Sequence, residues 1–409
     1  MSSYLCNTTL RLSDMRVFIA GIDGYLGWAL TLHLASRGHT IGGADNFSRR
    51  KWVEEVDGES IIPIHSISER LSVFQEHYHK SITFYEGDLC DYTFVKNSLE
   101  DFKPDAIVHL GEMPSAPYSM IDVRHAVFTQ TNNLVSTLNI LFAIRDTSPD
   151  AHLIKLGTMG EYGTPNIDIP EGFFEIEYRG RKDILPFPRQ APSWYHWSKV
   201  HDSNNIMFAC KIWGLRATDI MQGVVYGTRF YDTPEDERLF TRFDIDQCFG
   251  TVVNRFCAQA VIAHPLTLYG KGYQRRGFLP LRDSIQCLAI ALEKQPKQCE
   301  YRVLNQFAEV YGLTEIALKV QKVGKDLGLN IELSNFENPR IEKEDHYYHA
   351  DHKHLMDLGY KPTYDMESEL KLILSDLIKY RDRIEKNRHV LIPDIRWDGT
   401  QKKVCKLNK

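Results

Sequence analysis

An α/β fold is what this sequence predicts: a Rossmann-type doubly wound parallel sheet with a smaller, interleaved C-terminal lobe. Three observations lead there. Apolar, β-rich runs alternate with helical patterns through the first half of the chain, which implies a parallel sheet with helices on both faces. The first run, VFIA at 17–20, opens directly into GIDGYLGWAL at 21–30, three glycines at regular spacing before a helical pattern. The chain has 409 residues and 43% hydrophobic content, enough for one large domain or two ordinary ones.

The elements follow in order. After the glycines, Leu26, Ala29, Leu30 and Leu34 mark an amphipathic helix that Gly38 ends. A strand at 40–44 then runs into Asp45. Further strands are expected in SITFYEGD (81–88), DAIVHLGE (105–112), HLIKLGT (152–158) and LRATDIMQG (215–223), with helices over 124–146 and 195–213 between them. Residues 47–80 are long for a connection and read as a lid or a helical insertion. After about residue 228 the alternation weakens, and FYDTPEDERLFTRFDID reads as a loop or short helix. These patterns divide the chain into a dinucleotide-type domain over 15–227, a smaller lobe over 228–388 interleaved with it, and a mobile tail over 389–409. A last helix is expected at 365–388.

Composition narrows the function classes. A net charge of -5 suggests neither a nucleic-acid nor a membrane partner. No apolar run has bilayer length. The start, MSSYLCNTTLRLSD, is too short for a cleaved leader before the first strand, and the eight cysteines are scattered without a CxxC pair. Both features lead to the expectation of a cytoplasmic protein with reduced thiols.

The glycines Gly21, Gly24 and Gly27 between a buried strand and a helix suit close approach of a phosphate to the helix N-terminus. Asp45, at the end of the second strand, suits the ribose hydroxyls of an adenosine. Arg49 and Arg50 follow it and would suit a 2′-phosphate, but the Asp45 charge would repel one, so NAD is expected. Ligands of such sheets lie beyond the strand C-termini, where Gly111, Thr158 and Gln222 fall.

YHWSK places Tyr195 and Lys199 four apart, on one helix face. A free tyrosine is a weak base at neutral pH, and a lysine cation beside it would stabilise its phenolate. With Thr158 at a strand end to hydrogen-bond a substrate oxygen, this reads as a hydride-transfer site with a proton relay.

The glycine loop, Asp45, GDLCD at 87–91, Thr158 and the Tyr195/Lys199 pair resemble the extended short-chain dehydrogenases that act on nucleotide sugars. Longer strings look like the branch of that family that makes a sulfonated sugar. They are GEMPSAPYSMID (111–122), KLGTMGEYGTPNIDIPEG (155–172), KVHDSNNI (199–206), ATDIMQGVVYG (217–227), NRFC (254–257), HPLTLYGKG (264–272) and NPRIEKEDHYY (338–348). The resemblance covers roughly residues 15 to 385. It implies UDP-glucose and sulfite as substrates, NAD as cofactor and a homodimer. It also implies a route: oxidation at C4 with Tyr195 taking the hydroxyl proton, loss of H5 and the C6 oxygen as water, addition of sulfite at C6, and return of the hydride to C4.

Related 4,6-dehydratases carry an Asp-Glu pair after the threonine, where this chain has Met159 and Gly160, with the carboxylate one step on at Glu161. Glu161 and His196 are the candidates for moving the C5 and C6 protons, and Met159 for leaving room for sulfur. The resemblance further implies Asp23, Tyr25, Leu26, Asn46, Arg49, Asp88, Leu89, Leu110, Glu112, Asn132 and Val225 as cofactor contacts beside the glycines. For the substrate it implies Ser115, Tyr118, Gln222, Asn254, Arg255 and Gln274, with Arg276 and Arg340 on the diphosphate, where a guanidinium fork matches the oxygens. Plant-type members carry Arg where this chain has Pro114. HYYHADHKH at 346–354 holds four histidines but no completing ligand set, so no metal is expected. The alternatives are a UDP-sugar 4-epimerase or 4,6-dehydratase, and a non-catalytic dinucleotide sensor; the presence of both Tyr195 and Lys199 speaks against the sensor.

Overall fold

The central sheet has seven strands: β1 (Arg16–Ala20), β2 (Thr40–Asp45), β3 (Thr83–Glu86), β4 (Ala106–His109), β5 (His152–Thr158), β6 (Arg216–Gln222) and β7 (Tyr301–Gln306). They lie in the order β3-β2-β1-β4-β5-β6-β7, and all neighbouring pairs are parallel. This computed structural model describes residues 14–340 and 346–400. β4 is buried along its whole length and β1 beyond its first residue, which is why both read as unbroken apolar runs rather than alternating ones. Chain order reverses between β1 and β4, so the crevice at their C-terminal ends is the ligand position of such sheets.

The crossover helices start where short polar side chains offer caps. Asp91 Oδ1 accepts from the N–H groups of Thr93 and Phe94 ahead of the helix Tyr92–Phe102. Asp122 accepts from His125 N–H at the start of Val123–Thr147, and Ser193 from His196 N–H at the start of Trp194–Trp213. The last helix ends at Gly214, φ 71°, in the left-handed region.

The insertion at 47–80 is helical, with Ser48–Glu55 and Ile67–Tyr78. It is pinned to the first β–α unit: buried Arg70 reaches Asp23 at 2.6 Å and lies 3.8 Å over the Trp28 ring. The charged stretch after 228 forms one short turn, Glu237–Leu239. β7 comes from beyond residue 300, so the chain returns to the central sheet after the residues that follow β6. The smaller lobe has its own core, built by Phe256, Leu268, Phe278, Ile316, Leu370 and Ile373 among others.

Three features depart from the sequence reading. A hairpin, Phe173–Tyr178 paired with Arg181–Pro186, projects between β5 and the Trp194 helix. The last helix is broken into Met366–Ile378 and Arg381–Lys386. The segment expected to be a mobile tail packs down over its described part: Val390, Leu391 and Ile395 are buried, and Trp397 N–H donates to Pro339 O at 2.9 Å. Residues 401–409 of that expectation, and 341–345 of the NPRIEKEDHYY string, lie outside the described residues.

Candidate active site

A cavity of about 840 Å³ opens along the C-terminal ends of β1, β2, β4, β5 and β6. Its floor is the glycine loop. Gly21 has φ 87°, and a Cβ on Gly27 would stand 2.1 Å from Gly21 O, so only glycine lets the helix Tyr25–Ser36 start this close to β1. Among the described residues no side chain caps that helix at Gly24, which leaves its first N–H groups facing the cavity.

The Asp45 carboxylate accepts from Asp23 N–H at 2.9 Å and Phe47 N–H at 2.8 Å. Burial, with the Asp23 charge beside it, raises its pKa to about 6. Neither nearby arginine is left for a 2′-phosphate. Arg50 holds Asp23 in a two-pronged pair at 2.8 Å, and Arg49 holds Asp244 at 2.7 Å. The glycine cradle, the open helix end and a carboxylate at the ribose position together fit NAD.

Around that floor the cavity wall includes Tyr25, Leu26, Asn46, Arg49, Asp88, Leu89, Leu110, Gly111, Glu112, Asn132 and Val225, all expected on the cofactor side. Ser115, Gln222, Arg255, Gln274, Arg276 and Arg340, expected on the substrate side, line it too. Pro114 lines it too and offers no cation.

Thr158, Tyr195 and Lys199 all line the cavity. Thr158 ends β5, opposite Gln222 at the end of β6. Tyr195 and Lys199 share the face of the Trp194–Trp213 helix that looks onto β5, and Lys199 Nζ donates to Leu156 O at 2.7 Å. The Lys199 ammonium also pairs with the Glu112 carboxylate. Burial, and then the charges of Glu112 and Glu161, raise the Tyr195 pKa, so its phenol is protonated at neutral pH in this state.

His196 lies beside Tyr195, with ring centroids 5.0 Å apart and Nδ1 2.8 Å from Ser193 Oγ. Its ring occupies the space that a side chain at position 160 would need: a Cβ on Gly160 would sit 2.3 Å from His196 Nε2. Burial, with Arg340 and Arg276 nearby, lowers the His196 pKa to about 3, so the ring is neutral.

Four expected residues are turned away from the cavity. Glu161 is fully buried behind Thr158, where it accepts from Lys155 Nζ at 3.0 Å, Ser203 Oγ at 2.9 Å and Thr158 N–H at 3.3 Å. The one-residue shift thus aims this carboxylate inward, onto a buried cation, and not at the sugar. The Asp23 carboxylate is taken by Arg50 and Arg70. Tyr118 donates to Glu55 at 2.6 Å, and Asn254 Oδ1 accepts from Gly227 N–H at 3.1 Å.

On the wall Arg255 and Arg340 flank Tyr269, with guanidinium carbons 5.3 Å and 5.9 Å from its ring centroid. Arg276 also lines the cavity and donates to His346 Nε2 at 2.8 Å. Three cations there suit a diphosphate. The other histidines of the 346–354 string have separate partners: His349 meets Asp168, His352 the Phe307 ring, and His354 Glu171. The sequence reading missed Trp52, Gln190, Tyr269 and Trp397 as wall residues. Trp397 lies in the segment taken for a tail, and no local pattern marks it.

Comparison with known proteins agrees with this geometry. Residues 17–305 match the model of the NAD dependent epimerase/dehydratase family. The chain is 50% identical over 388 residues to a UDP-sulfoquinovose synthase of Sulfolobus acidocaldarius, covering 95% of this chain and 98% of that one. It is 49% identical over 382 residues to the chloroplastic UDP-sulfoquinovose synthase of Spinacia oleracea, covering 93% and 79%. Among solved structures, a UDP-glucose 4-epimerase of Thermotoga maritima with UDP-glucose superposes with a TM-score of 0.67 at 17% identity, over 89% of this chain and 99% of that one. With its glycine loop, its Tyr195/Lys199 pair and relatives half identical along nearly its whole length, the chain belongs to the NAD dependent epimerase/dehydratase family and, within it, to the UDP-sulfoquinovose synthases.

Proposed function

We propose that this enzyme makes UDP-sulfoquinovose from UDP-glucose, with sulfite as the nucleophile that enters at C6. The observation that carries the reading is the wall beside Thr158. Where 4,6-dehydratases carry two acids, this chain has Met159 and Gly160, and the neutral His196 ring fills the space left by the missing side chain.

In this reading a positive nicotinamide ring would add to Lys199 in favouring the Tyr195 phenolate, which takes the proton of the C4 hydroxyl and later gives it back, while the Thr158 hydroxyl hydrogen-bonds the same oxygen. When bound, NAD would supply the hydride acceptor and donor for C4. A ketone at C4 acidifies H5, and His196 accepts that proton. A ring held neutral by burial and two arginines keeps a proton poorly, so it passes it to the departing C6 oxygen, which leaves as water. Sulfite then adds at C6 of the 5,6-ene. Met159 contributes an uncharged wall that does not repel the anion. Arg255, Arg276 and Arg340 hold the diphosphate. Glu161 is a positioning residue for Thr158.

The functional unit is a homodimer in this reading, and its support is an apolar face on two adjacent helices. Unpaired thiols at Cys90, Cys210, Cys257, Cys287 and Cys299 support a reducing compartment such as the cytoplasm. No helix among the described residues is long and apolar enough to cross a membrane.

Deuterium at C4 of UDP-glucose tests the chemistry. It should be recovered at C4 of a product whose C6 carries sulfur. Deuterium at C6 would make the enzyme a 4,6-dehydratase, and a C4-inverted product with the C6 oxygen intact would make it an epimerase.

A further inference from the structure

The Lys199 ammonium does not face Tyr195 as an uncompensated cation. It is paired with Glu112, a cavity-wall carboxylate with 4% exposure. Glu112 Oε1 also meets His109 Nε2 at 3.1 Å and accepts from the Thr137 hydroxyl at 3.4 Å. On the other side of Thr137 stands Asp202, one helical turn from Lys199 and fully buried, and neither of its oxygens makes a hydrogen bond of ordinary geometry. A buried ionised carboxylate with so little solvation is costly, whereas a protonated one is tolerated.

We propose that Glu112 and Asp202, bridged by Thr137, form one carboxyl pair behind Lys199 that carries a single negative charge, with Glu112 ionised and Asp202 protonated, and that this pair sets how readily Tyr195 ionises.

The surroundings divide the two acids. The Glu112 pKa, although burial would raise it, is pulled down to about 2 by Lys199, His109 and Lys155. That of Asp202 is pushed well up by burial and by the Glu112 charge, against the opposing pull of Lys155 and Lys199. Two neighbouring carboxylates that repel each other share one proton in this way. The charged groups around the pair are His109 and Glu112 after β4, Lys155 and Glu161 on and after β5, Asp219 on β6, and Lys199 and Asp202 on the Trp194–Trp213 helix. Near Tyr195, the Lys199–Glu112 pair is close to neutral. A cation alone beside Tyr195 would favour its phenolate; burial first, and then the Glu112 charge, hold the pKa up, so the phenol remains a proton donor ready for the closing reduction. Glu112 and Asp202 are positioning residues, because they act through Lys199 and Tyr195.

The proposal rests on Tyr195 as the acid–base group, and the test separates the two ideas. NAD-loaded enzyme is mixed with UDP-glucose without sulfite, and the nicotinamide absorbance is followed against pH. Tyr195→Phe should abolish the absorbance change at every pH, and its failure to do so would remove the underlying reading. Glu112→Gln should move the pH midpoint of the rate down by about one unit or more, and Glu112→Asp should bring it back toward the parent value. A Glu112→Gln profile with the parent midpoint and only a smaller amplitude would overturn the proposal. The second measurement needs neither cofactor nor turnover. The folded-state pKa of Asp202 is raised, so its stabilising contribution is full below its unfolded pKa of about 4 and falls as pH rises above it. The thermal midpoint of Asp202→Asn should therefore gain on the parent from about pH 4 to pH 8. A pH-independent offset between the two would show that Asp202 is not the proton carrier and would overturn that assignment.

Discussion

Gly160 has no side chain, and the space beside it belongs to His196: a Cβ there would stand 2.3 Å from both Cδ2 and Nε2 of the imidazole. Neither residue reveals this in sequence, because they are 36 positions apart and only the packing of β5 on the Trp194 helix joins them. Gly160→Ala should push the ring off its seat by about 1 Å, a misplacement that costs about a hundredfold when the displaced group moves a proton. The loss should fall on elimination and sulfite addition. C4 oxidation, which uses Tyr195 and Thr158, should persist as a nicotinamide absorbance change without sulfosugar product. Equal loss of both steps would show that His196 does not act at C5 and C6. The residues that sequence misdirected share one physical feature. Glu161, Asp23, Tyr118 and Asn254 each have a polar partner remote in the chain or hidden in the fold, in turn Lys155, Arg70, Glu55 and Gly227. Spacing shows where a Cα stands, but it does not show that a distant cation has already claimed the carboxylate. The glycine loop, Asp45 and the Tyr195/Lys199 pair were legible because their partners are local turns, strand ends or neighbours one helical turn away.

β5 carries the chemistry of the site at one end and buried titratable groups along its length. Lys155, fully buried, donates to Glu161 and Ser203 and to the Lys199 carbonyl, and lies 3.3 Å from Asp219. One cation thus joins β5, β6 and the Trp194 helix, and with them Thr158 and Lys199. At the other end His152 is buried with Nε2 2.8 Å from Thr218 Oγ1, which also accepts from Arg302. Burial, with Arg302 and Arg216 nearby, lowers the His152 pKa to about 3. A depressed pKa gives stability that is full above the unfolded value of about 6.5 and is lost as pH falls toward the folded one. The slope is about 1.4 kcal/mol per pH unit for one such histidine. His152→Gln, whatever its effect at neutral pH, should flatten the fall in thermal midpoint between about pH 6 and pH 4. An unchanged slope would mean that His152 is charged in the folded protein. The first six strands of the sheet were readable as apolar runs that alternate with helices. β7 was not, because its run YRVLNQ is short, half polar and separated from the other strands by the smaller lobe's sequence. The Phe173–Pro186 hairpin was hidden because its strands are charged and none of their residues is buried.

At the scale of the whole molecule the unexplained feature is an apolar face on the two helices that flank β4 and β5. Val123, Val127, Leu138 and Phe142 are exposed on Val123–Thr147, and Trp194, Phe208 and Ile212 on Trp194–Trp213. Val123 and Val127, one turn apart, line a shallow groove with Phe128, and Trp194 and Phe208 are two heptads apart, so each set forms a stripe rather than a scatter. The two helices pack side by side, which makes one surface of the two stripes. In the homodimer reading proposed above, a second copy of this chain covers it. In that reading the same surface on both copies would close a two-fold pair that buries both stripes, and such an isologous contact stops at two. The Trp194 helix also carries Tyr195 and Lys199, so dimerisation would brace the helix that holds the site. A Val127→Glu, Phe208→Glu double variant places a charge in each stripe without touching a cavity residue. Light scattering should give the wild-type protein twice the monomer mass and the variant the monomer mass, with NAD still bound because the glycine loop and Asp45 lie on other elements. A wild-type monomer at micromolar concentration would refute the two-fold assembly. A variant that stays dimeric would move the interface to another face, since two buried carboxylates per protomer without partners cost several kcal/mol, more than such a contact could retain.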